Sequence, residues 1–127
     1  MMIYRRAILC GVITLSASSV FGQNLFSMRY ATGLNQLRAG QYEASIYSMK
    51  SALASLSGGA PPDPAIYVNL GWAQMRANHL DEAERTFALG RQYWSRLSPA
   101  EQQTLANDQS ELRRLRSGLA SRNLPRS

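Results

Sequence analysis

His79, the only histidine of the chain, and the acids that follow it are the residues whose types suit catalysis or metal binding. Asp81, Glu82 and Glu84 come two to five positions later, and imidazole and carboxylate groups are common metal ligands. This spacing is unspecific. A turn histidine followed by acids in the first turn of a helix, where the helix dipole favours negative charge, explains the same residues. We favour this second interpretation and expect no metal site, no cofactor and no catalytic residue.

Few other residues suit covalent chemistry. Cys10 is the only cysteine, and it lies in an N-terminal segment that we expect to be removed. Without a second histidine the usual pairs of nucleophile and base are lacking, and no glycine-rich phosphate loop follows a predicted strand. The sequence therefore predicts that the protein is not an enzyme. A small hydrolase or metal protein that depends on His79 is the least favoured alternative.

The N-terminus has the pattern of a secretory signal. Arg5 and Arg6 precede an uncharged stretch over residues 7–21, and Gly22 is the expected end of the signal. The stretch is shorter and more polar than a membrane-spanning helix, which needs roughly 18 apolar residues or more. We expect residues 1–22 to be a signal peptide and the protein to be exported, with the bacterial periplasm as the expected compartment. An uncleaved anchor and a buried N-terminal helix are the alternatives.

The rest of the chain has the composition of one folded domain. Of 127 residues, 45% are hydrophobic and 17% charged, and the formal net charge is +6. The pattern predicts an all-α domain over residues 23–119 and a flexible tail over residues 120–127. Removal of the signal leaves no cysteine, so an exported domain of this sequence depends on packing and not on disulfides.

The first part of this domain has the pattern of a helical hairpin. Apolar residues recur at helical spacing in its first segment, namely Phe26, Tyr30, Leu34 and Leu37. Gly40 is typical of a residue that ends a helix, and a second helix is predicted from about Tyr42 to Leu56. The glycine- and proline-rich stretch over residues 57–63 is the clearest loop in the chain.

Three more helices follow in the sequence. Asp63 is positioned to cap the third helix, which is apolar around much of its circumference and is therefore expected to be the most buried. Asn78 and His79 form a turn before the fourth helix. Ser98 and Glu101 make a capping box at the start of the fifth helix. Its apolar side is predicted to consist of Leu105, Leu112, Leu115 and Leu119.

The two predicted hairpins are related by an internal repeat with an offset of 38 residues. The thirteen residues that start at Gly33 share four identities with those that start at Gly71. The identical pairs are Gly33 and Gly71, Gln36 and Gln74, Arg38 and Arg76, and Ala39 and Ala77.

The second unit resembles the tetratricopeptide repeat. The residues that carry the resemblance are Tyr67, Leu70, Gly71, Ala83 and Phe87, which stand where that signature has an aromatic residue, Leu-Gly, Ala and Phe. The first unit departs from the signature at Arg29, Thr32, Ser45 and Met49, and both units have glutamine where a second aromatic residue is usual. The resemblance implies two tetratricopeptide-like helical hairpins plus a C-terminal capping helix, preceded by the signal peptide.

The resemblance also implies a concave groove lined by the first helix of each hairpin. The expected partner-binding residues are Tyr30, Leu34, Leu37, Arg38, Val68, Asn69, Trp72, Met75 and Arg76. Apolar and aromatic anchors with two arginines suit a protein or peptide partner. Trp72 and Met75 are equally compatible with core positions. The expected function is therefore that of an exported adaptor.

The C-terminal arginines leave a further alternative open. They are Arg113, Arg114, Arg116, Arg122 and Arg126. A basic segment can bind an anionic membrane surface or an acidic partner, whereas export argues against nucleic acid. A solvated helix end explains the same residues, because cations suit the C-terminal end of the helix dipole. The second function that we consider is a structural or assembly subunit of a cell-envelope complex.

Overall fold

The computed structural model describes residues 23–122, and over that range the ordered elements are all helical. The helices are α1 (residues 23–38), α2 (Tyr42–Ala54), α3 (Ala65–Arg76), α4 (Leu80–Gln92) and α5 (Pro99–Arg122), with a short 3-10 turn at Trp94–Arg96. The predicted all-α class is confirmed for this range. The expected signal peptide, residues 1–22, and residues 123–127 of the expected tail lie outside the described residues.

Side-chain caps begin the helices where the sequence predicts them. The backbone N–H of Ala65 donates to Asp63 Oδ1 at 3.1 Å. The backbone N–H of Glu101 donates to Ser98 Oγ at 3.2 Å, and that hydroxyl donates in turn to the Glu101 carboxylate at 3.0 Å. These bonds satisfy N–H groups that the first turn of a helix leaves free. The starts of α3 and α5 are therefore fixed by local sequence.

The turns that close the two hairpins have the same geometry. Gly40 and Asn78, which are 38 residues apart, have φ values of +75° and +68°. This left-handed conformation suits glycine and, among other residues, asparagine. Equivalent backbone hydrogen bonds close the turns, from Gln41 N to Gln36 O at 2.9 Å and from His79 N to Gln74 O at 2.8 Å. Both helices α1 and α3 thus end in the same six-residue motif.

The core has two parts that share α3. Phe26, Ile46, Met49, Ala52, Ile66, Leu70 and Ala73 form the first, between α1, α2 and α3. Val68, Met75, Ala83, Phe87, Leu97, Leu105 and Leu112 form the second, between α3, α4 and α5. Because α3 contributes to both parts, it has buried residues on two sides, as its apolar circumference predicted.

Helix α5 packs on α3 and α4 and continues past the predicted end of the domain. Its helical conformation extends to Arg122, beyond Leu119. Arg116 pairs with Asp81 and Glu84 in the first turns of α4. Since these turns follow the α3–α4 loop, the later part of α5 lies beside that loop. Within residues 23–122, no helix combines the length and the apolar character that a membrane crossing requires.

Candidate protein-binding surface

Close contact between paired helices depends on a glycine in each hairpin. A Cβ atom built on Gly33 would lie 2.7 Å from Cγ of Met49, and one on Gly71 would lie 2.5 Å from Cδ1 of Phe87. Both distances are well below ordinary van der Waals contact. The small Ser45 faces Gly33, and its hydroxyl donates to the Gly33 carbonyl at 2.7 Å. The two glycines therefore have equivalent surroundings.

A second matched contact joins the paired helices through polar side chains. The hydroxyl of Ser48 donates to Gln36 Oε1 at 2.6 Å, and the hydroxyl of Thr86 donates to Gln74 Oε1 at 2.5 Å. Gln74 and Thr86 are buried, so this hydrogen bond replaces one that water would otherwise supply. In the sequence these glutamines are an identical pair of the repeat and a departure from the tetratricopeptide signature. Ser48 and Thr86, hydroxyl residues that recur at the same offset, were the signal for this contact that the sequence interpretation did not use.

Polar side chains also connect one hairpin to the next. Asn69 Nδ2 donates to the Tyr30 hydroxyl at 2.7 Å, which links α1 with α3. Burial raises the pKa of this tyrosine to about 12, so its hydroxyl stays protonated. The other links are Lys50 to Glu82 at 3.1 Å and His79 Nε2 to Glu43 Oε1 at 2.6 Å.

His79 contributes to the contact between the two hairpins. It precedes α4, and its ring contacts Glu43 of the neighbouring hairpin, with both side chains partly or largely exposed. Among residues 23–122, no three His, Cys, Asp or Glu side chains are grouped so that they would hold a metal ion. The contact of His79 with Glu43 instead joins the two hairpins.

Two of the nine predicted binding residues lie in the core. Val68 and Met75 are only 4% and 6% exposed, because α5 packs over this side of α3. In this conformation they offer no surface to a partner. From the sequence, Val68 was expected in the groove and Met75 was compatible with either the groove or the core, because the sequence does not show where α5 docks. They are left out of the surface described below.

The other seven predicted residues form what we call the inner wall of α1 and α3. It consists of Tyr30, Leu34, Leu37, Arg38, Asn69, Trp72 and Arg76. The two arginines are exposed and the other five are half-buried. Tyr30 and Leu34 also line a shallow pocket of about 410 Å³ together with Phe26, Leu56 and Asp63. The wall thus combines partly exposed apolar and aromatic groups with two cations.

Tyr42, at the start of α2, belongs to the same surface although it was not predicted there. Its ring lies 5.7 Å from that of Trp72 in an edge-on arrangement. The guanidinium carbon of Arg76 lies 5.7 Å from the Tyr42 ring and 5.4 Å from the Trp72 ring. The contacts of Tyr42 with Trp72 and Arg76 join helices of different hairpins, so no local sequence pattern indicates them, whereas Arg76 and Trp72 are four residues apart on α3.

Several C-terminal arginines are engaged within the protein. Arg116 pairs with two carboxylates of α4, and Arg114 pairs with Glu111. The exposed Arg113 donates to the Ser110 hydroxyl at 3.2 Å. The basic segment is therefore partly neutralised, and Arg116 fastens α5 to α4.

Comparison with known proteins does not assign this fold or surface to a family. No family model, no curated protein and no solved structure matches the chain.

Proposed function

We propose that this protein is an exported tetratricopeptide-like adaptor that binds a protein or peptide partner on its inner wall. The observation that carries the proposal is the repetition of one hairpin geometry at an offset of 38 residues. The glycine contacts, the glutamine–hydroxyl bonds and the left-handed turn residues all recur at that offset. Stacked helix pairs of this kind commonly use the wall formed by their first helices for binding.

The side chains of the inner wall support this role. Trp, Tyr and Arg are the residue types that most often dominate the energy of protein interfaces. Tyr30, Trp72 and Arg76 represent all three types, and Leu34 and Leu37 add partly exposed apolar surface. Their mutual contacts also hold several of them in place before binding, which lowers the entropic cost of association.

Helix α5 has features expected of a helix that caps the end of the two stacked hairpins, which supports the proposal. Its exposed residues include the polar or small Gln103, Thr104, Asn107, Ser110, Arg113 and Ser117, together with two leucines, Leu115 and Leu119, that are 41% and 42% exposed. Terminal elements of repeat stacks need such a solvated outer face. In this proposal α5 covers Val68 and Met75, and the surface for a partner lies on α1 and the exposed part of α3.

Export rests on the sequence of residues 1–22, with its paired arginines and short apolar stretch. An exported adaptor would meet its partner outside the cytoplasm, and the bacterial periplasm is the compartment that we propose. The absence of cysteine after residue 22 suits an oxidising compartment, because no free thiol is present to form unwanted disulfides.

A structural role in a larger envelope complex is a second candidate. It is favoured by Met28 and Tyr47, which are 67% and 76% exposed on the first hairpin. Large contiguous apolar patches mark surfaces that another chain covers, and this candidate requires Met28 and Tyr47 to belong to such a patch. This candidate predicts that the isolated protein self-associates. A stable, soluble monomer in size-exclusion chromatography with light scattering would count against it.

Affinity purification with substituted proteins tests the adaptor proposal. W72A and R76A are expected to lose most of the partner that the wild type recovers from its own cells. L89A removes an exposed apolar side chain from α4, outside the inner wall, and is expected to recover the partner normally. Circular dichroism verifies that each variant is folded. Equal recovery by all three folded variants would refute the inner wall as the binding surface.

A further inference from the structure

We infer that Arg76, which lies against the rings of both Tyr42 and Trp72, binds a side-chain carboxylate in an acidic segment of the partner. This inference rests on the proposed function and deepens it, because it specifies the chemistry of the partner. It concerns the end of the inner wall where α3 finishes and α2 begins.

The position of the guanidinium group is set by aromatic contacts. Its carbon lies 5.4 Å from the centre of the Trp72 ring and 5.7 Å from that of Tyr42, within the range of cation–π attraction. Contacts of this kind use the face of the guanidinium group and leave N–H donors at its edge free. Arginine matches a carboxylate with two parallel N–H···O bonds, so a pre-positioned arginine suits that ligand.

No acidic side chain among residues 23–122 forms an ion pair with the Arg76 guanidinium. The carboxylates in ion pairs are those of Glu43, Asp81, Glu82, Glu84 and Glu111, which pair with His79, Lys50, Arg114 or Arg116. Within residues 23–122, no carboxylate oxygen lies within 4.0 Å of the Arg76 nitrogens. An exposed guanidinium that is held in place without an acidic partner is available to an external one.

The charge of the surrounding surface favours the same ligand. Arg38 ends α1 as Arg76 ends α3, and its side-chain contact is a 3.5 Å bond to Asn35 Oδ1. Because α1 and α3 run in the same direction, both arginines lie at one end of the inner wall. Asp63 lines the pocket at the other end, beside Tyr30. The acids near the end that contains Arg76 are engaged with Lys50, His79 or Arg116, so Arg38 and Arg76 are available there to attract an acidic group of the partner.

The apolar part of the wall distinguishes a peptide from other anions. Leu34 and Leu37 are half-buried on α1, alongside Asn69 and Trp72 of α3. A segment that alternates apolar and acidic side chains matches this combination of apolar floor and terminal cation. Anionic lipid lacks such an alternation of side chains, and we make its binding an outcome of the test below.

Fluorescence titration of Trp72 tests the inference. Trp94 is the only other tryptophan, so protein purified from cells that express the full-length W94F chain reports on Trp72 alone. The probe is a peptide of about 12 residues in which leucine alternates with glutamate, and its control has glutamine in place of glutamate. We expect saturable binding of the glutamate peptide and binding at least about tenfold weaker for the glutamine peptide.

Charge-matched variants separate a specific contact from general attraction. R76Q is expected to bind the glutamate peptide about tenfold more weakly, because it removes the charged donor. R85Q loses the same charge from an exposed position on α4 and is expected to stay within about twofold of the parent. R76K keeps the charge but loses the planar pair of donors, and an affinity between those of R76Q and the parent is expected.

Four results would overturn the inference. The first is a lack of saturable binding of the glutamate peptide up to about 1 mM, and the second is equal affinity for both peptides. The third is an equal loss of affinity for the glutamate peptide in R76Q and R85Q. The fourth is a fluorescence response of Trp72 to phosphatidylglycerol vesicles but not to peptide. Failure of the inference differs from failure of the proposed function. If W72A loses the cellular partner while R76Q retains it, the inner wall still binds protein, but Arg76 does not select an acidic segment.

Discussion

At Gly71 the second hairpin has no room for a side chain. A Cβ atom there would lie within 2.5 Å of the Phe87 ring, and Phe87 is fully buried. An alanine there would overlap the ring, so G71A is expected to lower the free energy of unfolding by about 1–3 kcal/mol through overpacking. Urea denaturation monitored by circular dichroism measures this change.

Gly118 provides the matched control for this substitution. It lies in α5, and a Cβ atom there would have no neighbour within 4 Å. Alanine favours the helix over glycine, so G118A is expected to raise the free energy of unfolding by about 0.5–1 kcal/mol. If G71A proves as stable as the wild type, the close contact of α3 and α4 described here is incorrect.

The partly buried carboxyl group of Asp108 is expected to make the free energy of unfolding depend on pH. Burial raises the pKa of this carboxyl group from 3.8 to about 6, and its Oδ2 atom has no hydrogen-bond partner within the described residues. Between these pH values the folded protein holds a proton that the unfolded chain releases. The contribution of Asp108 to stability therefore falls as the pH rises through this window, and the loss is complete above about pH 6.

The substitution D108N removes this dependence. Asparagine has a similar shape but carries no charge at any pH, so D108N is expected to be more stable than the wild type above about pH 6. Below about pH 3 the difference between the two proteins is expected to be constant and small, because the wild-type carboxyl is then protonated in both states. Thermal unfolding at a series of pH values checks this. A constant difference across the series would contradict it.

Some residue-level contacts were predictable from the sequence and others were not. Alignment of the two repeat units matches Gly33 with Gly71. The same alignment matches the small residues Ser45 and Ala83, which lie in the second helix of each hairpin. The contact of Tyr42 with Trp72 was not predictable, because it depends on how one hairpin packs against the next. Sequence periodicity shows which face of a helix is apolar, but it does not identify the opposing residue.

At the scale of elements, α5 holds the second part of the core together. Leu105 is fully buried, and with Leu112 it packs against the residues of α3 and α4. L105A is expected to cost about 2–5 kcal/mol, because it leaves a cavity that the surrounding helices fill only in part. Differential scanning calorimetry measures this change as a lower unfolding temperature.

Leu119 is the control for this prediction. It lies on the same helix but is 42% exposed, so L119A is expected to change stability by no more than about 0.5 kcal/mol. Similar losses for L105A and L119A would show that α5 does not pack as described.

Helix starts were predicted more accurately than helix ends. Asp63 and the Ser98–Glu101 capping box are local signals, and both make the expected hydrogen bonds. Helix α2 ends at Ala54 instead of near Leu56, and α5 continues to Arg122. Apolar spacing located these ends in the sequence, but the last turns of a helix need no apolar contact to form. Their limits therefore do not follow from the pattern.

At the scale of the whole molecule, the docking of α5 decides which predicted binding residues are accessible. Val68 and Met75 are covered, whereas Trp72, between them in sequence, stays half-exposed beside Tyr42 and Arg76. From the sequence alone, Trp72 and Met75 were equally compatible with the core and with the groove, because both lie on the apolar side of α3. Only the position of α5 separates them, and this depends on long-range packing.

The central claim is that the inner wall of α1 and α3 binds another polypeptide. The most direct test is photocrosslinking in cells that naturally make the protein, with a photoreactive amino acid in place of Leu34, Trp72 or, as the control, Leu89 of α4. Mass spectrometry identifies the products. The account predicts that Leu34 and Trp72 positions crosslink to the same partner and that the Leu89 position does not. Crosslinks from Leu89 alone, or none from either inner-wall position, would contradict it.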